Sequence, residues 1–109
     1  MITLAKILGE GGIKPGAATP TVLYTVPAST QARGRLNICN QGVLADTIRI
    51  AITPSGRTID VTDYIFYDCS IRGNSVIGDV MFDLPAGAFI TVYSLLGQCS
   101  FISTGLEVA

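Results

Sequence analysis

The sequence predicts an all-β fold, a single β-sandwich of Greek-key or jelly-roll type with an N-terminal extended arm. Three observations carry this expectation. Apolar residues recur with a period of two along short runs, turn residues interrupt those runs about every twelve positions, and no window of helical length carries an apolar stripe. Short β-branched and aromatic runs at that spacing suit two packed antiparallel sheets rather than a βαβ fold. The chain of 109 residues is one domain in size.

The first eighteen residues (MITLAKILGEGGIKPGAA) differ from the rest. An apolar start runs into Gly9, Gly11, Gly12, Pro15 and Gly16, which sustain neither a helix nor a regular strand. Residues 1–18 therefore read as an arm and residues 19–109 as the β-sandwich body. Ile2, Leu4, Ile7 and Leu8 need burial, so the arm is expected to add a strand to a sheet edge or to lie across a neighbouring subunit. Lys6 interrupts the apolar opening and no small-residue cleavage pattern follows it, so the segment reads as retained rather than as a secretion signal.

Strands are expected from Thr21 to Val26, ended by Pro27-Ala28-Ser29, and from Arg35 to Asn40, ended by Asn40-Gln41-Gly42. In the second, Leu36, Ile38 and Asn40 share one face. Thr47 to Thr53 alternates most cleanly, with Ile48, Ile50 and Ile52 inward, and stops at Pro54-Ser55-Gly56. Further strands run from Asp63 to Ile71, Val76 to Phe82, Phe89 to Leu95 and Ser100 to Val108. Between them stand Arg72-Gly73-Asn74, Pro85-Ala86-Gly87 and Gly97-Gln98. Every position of Tyr64-Ile65-Phe66-Tyr67 is large and apolar, which predicts a strand covered on both faces, once by the opposite sheet and once by another subunit.

Composition points the same way. Charged residues make up 14% of the chain, against about 25% in ordinary soluble domains. A surface of about 5,800 Å² for this mass is thinly charged, and a partner is expected to cover part of the apolar surplus. A net charge of −1 argues against a grip on nucleic acid. No apolar run is long enough for a membrane-spanning helix.

Catalytic chemistry is hard to assemble from this inventory. There is no His, the usual general base near neutrality. Asp79 and Asp83 on one strand would stand about 13 Å apart, too far for glycosidase chemistry. Asp60, Asp63 and Asp68 match no calcium loop and read as solvated loop acids. Cys39, Cys69 and Cys99 are odd in number and lack metal-site spacing, so free buried thiols are expected rather than a bridge or a zinc centre. The reading is of a non-enzyme with no catalytic residue, no metal site, no cofactor and no small-molecule substrate. Its candidate assembly residues are Ile2, Leu4, Ile7 and Leu8 of the arm and Tyr64, Ile65, Phe66 and Tyr67 of the body.

Several segments, taken together, resemble a family. They are Thr3-Leu4-Ala5-Lys6-Ile7-Leu8-Gly9, Val22-Leu23-Tyr24-Thr25-Val26-Pro27-Ala28, Cys39-Asn40-Gln41-Gly42 and Arg49-Ile50-Ala51. Asp63-Tyr64-Ile65-Phe66-Tyr67-Asp68, Leu84-Pro85-Ala86-Gly87, Ile90-Thr91-Val92-Tyr93-Ser94 and Gly105-Leu106-Glu107-Val108 complete the pattern. It is similar to that of small virion structural proteins of tailed bacteriophages. The resemblance implies a trimeric β-sandwich subunit, assembled in the host bacterial cytoplasm, that binds the major capsid protein on the capsid surface as a cement or decoration protein. The alternative it implies is a tail-fibre or baseplate component, with host-glycan binding as a further option. The shared segments are strands and turns, so the resemblance carries over no site residue.

Overall fold

The computed structural model describes residues 6–9 and 11–109. Eight strands follow one another: β1 (Lys6–Ile7), β2 (Thr21–Thr25), β3 (Gln31–Asn40), β4 (Asp46–Thr53), β5 (Tyr64–Ile71), β6 (Val76–Leu84), β7 (Phe89–Ser94) and β8 (Cys99–Val108), with a 3₁₀ turn at Val61–Asp63 before β5. They form two four-stranded sheets, ordered β1-β8-β3-β6 and β2-β7-β4-β5, all pairs antiparallel. The pairs β1–β8, β2–β7, β3–β6 and β4–β5 are the rungs of one long hairpin. Rolling it brings β3 against β8 and β4 against β7, which is the jelly-roll arrangement. The chain is thus an all-β sandwich, as the alternation predicts.

The core lies between the sheets because the period-two phase of each strand puts its aliphatic set inward. Leu36 and Ile38 of β3, Ile48 and Ile50 of β4, Ile90 and Val92 of β7 and Phe101 of β8 are all fully or almost fully buried. Each contributes about 1.5–3 kcal/mol by leaving water. Ala51 and Thr53, on the opposite phase of β4, are buried too. Ala51 lies between Tyr64 and Thr91 in register, and the Thr53 hydroxyl donates to Asp63 at 3.2 Å.

Two strands run longer than their patterns suggest. β3 begins at Gln31 and continues through Gly34, a residue that weakens strands. Gly34 stands directly opposite Gly105 of β8. A Cβ on Gly34 would come within 2.2 Å of the Thr104 carbonyl oxygen, and one on Gly105 within 2.2 Å of that of Arg33. The strands approach so closely there that only glycine fits on either side. β6 likewise continues to Leu84, which is paired with Ala32.

Three of the sheet-edge strands, β2, β5 and β6, are interrupted. β2 carries an extra residue at Leu23, which turns both Leu23 and Tyr24 inward. β5 shifts register between Ile48 and Ile50, with Asp68 at φ 53°, and β6 shifts between Leu36 and Ile38, with Asp79 at φ 56°. Among the described residues β1 covers two, Lys6 and Ile7. Such edges offer poor templates for strand addition from outside.

The described part of residues 1–18 lies along the body, paired with β8 at Lys6–Ile7 and at Ile13. Leu8 is wholly buried in the common core, its N–H donating to Ser103 O at 2.9 Å. Ile13 exchanges two backbone hydrogen bonds of 2.8 Å with Phe101. The division at residue 18 is one of composition, since the core extends across it.

Candidate interaction surface

Of the residues expected at an assembly interface, Ile2 and Leu4 lie outside the described residues. Ile7 is exposed beside Thr104 on the outer face of β8. Leu8 is completely covered within the single chain, where it fills the core. The four residues on β5 divide, because β5 is an edge strand with a bulge. Phe66 pairs with Ile50 and packs against the core, Tyr64 is half-buried, and Ile65 and Tyr67 face solvent. The outer side of this stretch is open within the single chain.

On that outer face Arg49 lies between two aromatic rings, 4.4 Å from the centre of Tyr67 and 4.8 Å from that of Tyr93. Tyr93 is its cross-strand partner, and the β5 bulge delivers Tyr67 and Asp68 to its other side. The Arg49 Nε donates to Asp68 Oδ1 at 2.6 Å and its Nη2 to Oδ2 at 3.3 Å, a forked pair that holds the guanidinium firmly charged. Tyr64 meets Tyr67 edge-on at 4.9 Å. The result is a rigid, locally neutral aromatic platform of Tyr and Arg, residue types enriched where proteins bind one another.

A second feature lies at the end of the sandwich where β3, β5 and β7 finish. Val43 and Leu44 in the β3–β4 loop are 82% and 62% exposed, and Leu95 and Leu96 in the β7–β8 turn are 44% and 45% exposed. These aliphatic side chains on two loops are left open or partly open to water among the described residues. The loops are nonetheless fixed. Gln41 N–H donates to Gln98 O at 3.0 Å and Asn74 N–H to Gly42 O at 2.8 Å, which ties three loops together. Asn40, fully buried, donates from Nδ2 to Leu44 O and Ile71 O and accepts from Gly42 N–H.

Asp46 is the other anchor. It is nearly inaccessible, yet its carboxylate accepts from Thr47 N–H at 2.7 Å, Leu96 N–H at 2.9 Å, Gln98 N–H at 3.3 Å and the Ser94 hydroxyl. Burial by itself would raise its pKa. The Ser94 hydroxyl and the three N–H groups outweigh burial and hold the carboxyl below its usual range. Burial, reinforced by the Asp46 charge, pushes the neighbouring Cys99 thiol up to about 12. Asp46, Ser94 and Cys99 are out of reach of any substrate, so this cluster shapes a turn instead of reacting.

Asp60, Asp63, Asp79 and Asp83 are each engaged by a partner. Arg57 pairs with Asp63 at 2.5 Å, Arg33 with Asp83 at 3.0 Å and Arg35 with Asp79 at 3.4 Å. Asp60 accepts from the Thr62 hydroxyl at 2.7 Å, which lowers its pKa. Among the described residues no group of three His, Cys, Asp or Glu side chains is placed to hold a metal ion, and no helix is long and apolar enough to cross a membrane. The three thiols are free, Cys99 buried and Cys39 and Cys69 half-buried.

No protein-family model matches the chain, and neither a curated protein nor a solved structure matches it.

The apolar end and its anchors were not singled out in the sequence. Asp46 had a readable signal: it stands in phase with Ile48, Ile50 and Ile52, so the alternation that points them inward points it inward too.

Proposed function

We propose that this chain is a non-enzymatic structural subunit of a tailed-phage virion, a cement or decoration protein on the capsid surface. It assembles as a homo-oligomer, a trimer by family resemblance, and stabilises the head lattice by bridging copies of the major capsid protein. The observation that supports this most is the apolar end: Val43, Leu44, Leu95 and Leu96 stand in water on loops held by the buried Asp46 and Asn40. Preorganised apolar contacts of this kind lose little entropy on docking, and many equivalent weak contacts add by multivalency.

The experiment compares heads assembled with the wild-type chain, with Leu44→Asp/Leu96→Asp and with no added chain, by copy number per particle and by loss of DNA on heating. The double variant should keep its fold, since both side chains are exposed, but bind heads at least tenfold more weakly. Equal occupancy and equal heat resistance would refute the role of this end. Heads indifferent to the chain altogether would refute the cement reading.

A tail-fibre or baseplate role is the second reading, favoured by the Arg49, Tyr67 and Tyr93 platform. Exposed Tyr67 beside a fixed Arg–Asp fork offers a stacking surface and hydrogen-bonding groups of the kind a host glycan would use. Density for the chain on the tail alone would favour it.

A further inference from the structure

Lys6 to Ile13 forms a strap, and the main-chain hydrogen bonds of its described residues go to one strand. Lys6 and Ile7 pair with Gly105 and Thr104, Leu8 with Ser103, and Ile13 with Phe101, all on β8. The Lys6 ammonium holds Glu107, also on β8, at 2.6 Å, and Tyr24 donates its hydroxyl to the same carboxylate. Leu8 plugs the core. Gly9 comes close to Leu23 and Tyr24 of β2, and a groove of about 480 Å³ lies between Gly9, Gly11, Gly12 and Ile13 and the β2 residues.

The connection to the body runs from Lys14 to Pro20 and is under strain in this closed form. Ala18 sits at φ 53°, a left-handed conformation that residues with a Cβ adopt rarely. It is held there by its N–H to Ser94 O at 2.9 Å and by the tight turn closed by Thr19 N–H and Gly16 O at 3.1 Å. Pro15 and Pro20 bias the preceding Lys14 and Thr19 towards extended backbone. Opened out, the seven-residue connection (14–20) reaches about 24 Å, enough to lay the strap on an adjacent molecule.

We propose that the strap from Lys6 to Ile13 is exchanged between copies, so that each chain's Leu8 plugs the core of its neighbour. The inference rests on the reading of the chain as a homo-oligomer. Every contact of the strap with β8 can be made identically in trans, which makes exchange a low-cost route to association. Opening the connection also relieves Ala18. The other edges are bulged, so the β8 edge is the one that takes up a strand, and what it takes is this strap.

Register supplies the test. Because Leu8 N–H bonds Ser103 O, Ile7 and Thr104 form the neighbouring non-hydrogen-bonded pair, with Cα atoms about 4.5 Å apart and within disulfide reach. One chain carries Ile7→Cys and another Thr104→Cys, each with Cys39→Ser and Cys69→Ser. The two are refolded together, oxidised and run on non-reducing gels, with sedimentation of the same samples. Each variant oxidised alone controls for random bridging.

Exchange predicts a covalent pair in the mixture that is absent from either variant alone. Ala18→Gly, which removes the strain, should lower its yield about fivefold, the population change expected for relief of a single strained residue. Ala18→Pro, which cannot adopt the closed φ, should raise it. An oligomer in sedimentation without the mixed pair would overturn exchange and leave the oligomer standing. A monomer without the mixed pair would overturn both.

Discussion

Removing the Asp46 carboxylate should damage the fold out of proportion to its single charge. In Asp46→Ala the N–H groups of Thr47 and Leu96, bonded at 2.7 and 2.9 Å, lose their acceptor, as do the Ser94 hydroxyl and the weaker Gln98 contact. A stranded buried donor costs about 1–3 kcal/mol. The Leu95–Leu96 turn is half-exposed, so water recovers part of this loss, and about 3 kcal/mol should remain. That is a large share of the ~5–15 kcal/mol of a small domain and corresponds to a fall in Tm of about 15 °C.

Urea titration followed by circular dichroism measures it, with an unchanged m-value showing that the midpoint reports stability. The pH dependence is an independent check. The folded pKa of Asp46 lies below its unfolded value, so its contribution is complete above the unfolded pKa of about 3.9 and is lost as pH falls through the folded value. Asp46→Asn should lose that component of acid sensitivity, while Glu107, lowered chiefly by Lys6 and then by Tyr24, and Asp60, lowered by Thr62, keep theirs. A loss below about 0.5 kcal/mol in Asp46→Ala, the range of an ordinary surface change, would refute the anchoring argument. So would a wild-type acid profile in Asp46→Asn.

Two further outcomes follow from the geometry. Gly105→Ala sets a methyl group against the Arg33 carbonyl oxygen at 2.2 Å and should cost several kcal/mol or yield insoluble protein, whereas Gly56→Ala, with φ 79° and open space around it, should cost about 1 kcal/mol by thermal melting. Phe66→Asp buries a carboxylate against the core and should unfold the chain, while Ile65→Asp, on the exposed side of β5, should melt within about 1 kcal/mol of wild type and change only the sedimentation of any assembly using that face.

The sandwich was legible because its strands obey the simplest code available. Leu36-Ile38-Asn40 and Ile48-Ile50 alternate without interruption, and Pro and Gly mark their ends. Bulges break that code: at Leu23 and Asp68 an extra residue shifts the phase, so Leu23 and Tyr24 both turn inward and Tyr67 turns out, which no fixed period describes. The part of β3 before Arg35 was missed because Gly34 earns its place by standing opposite Gly105, a relation between residues far apart in the chain. The burial of Leu8 in its own chain's core was not legible, because local composition cannot tell an arm that folds back from one that reaches outward. The apolar end was hidden for a similar reason. Val43, Leu44, Leu95 and Leu96 are ordinary residues singly, and only the topology brings their two loops to one end of the sandwich.

The rolled-hairpin topology also sets an order of events. With β4 and β5 at the tip of the hairpin, the middle of the chain can pair first and locally, while β1 must wait for β8, which the ribosome makes last of the eight strands. β8 lies between β1 and β3, so until it arrives one sheet lacks its second strand and the core lacks Phe101. Pairing between the two ends of the chain is slow, because loop closure precedes its reward. A nascent chain therefore spends its longest interval as an open roll with unpaired edges, the state most prone to meeting another copy. High local synthesis would favour intertwined partners, and slow, dilute refolding would favour self-closed chains.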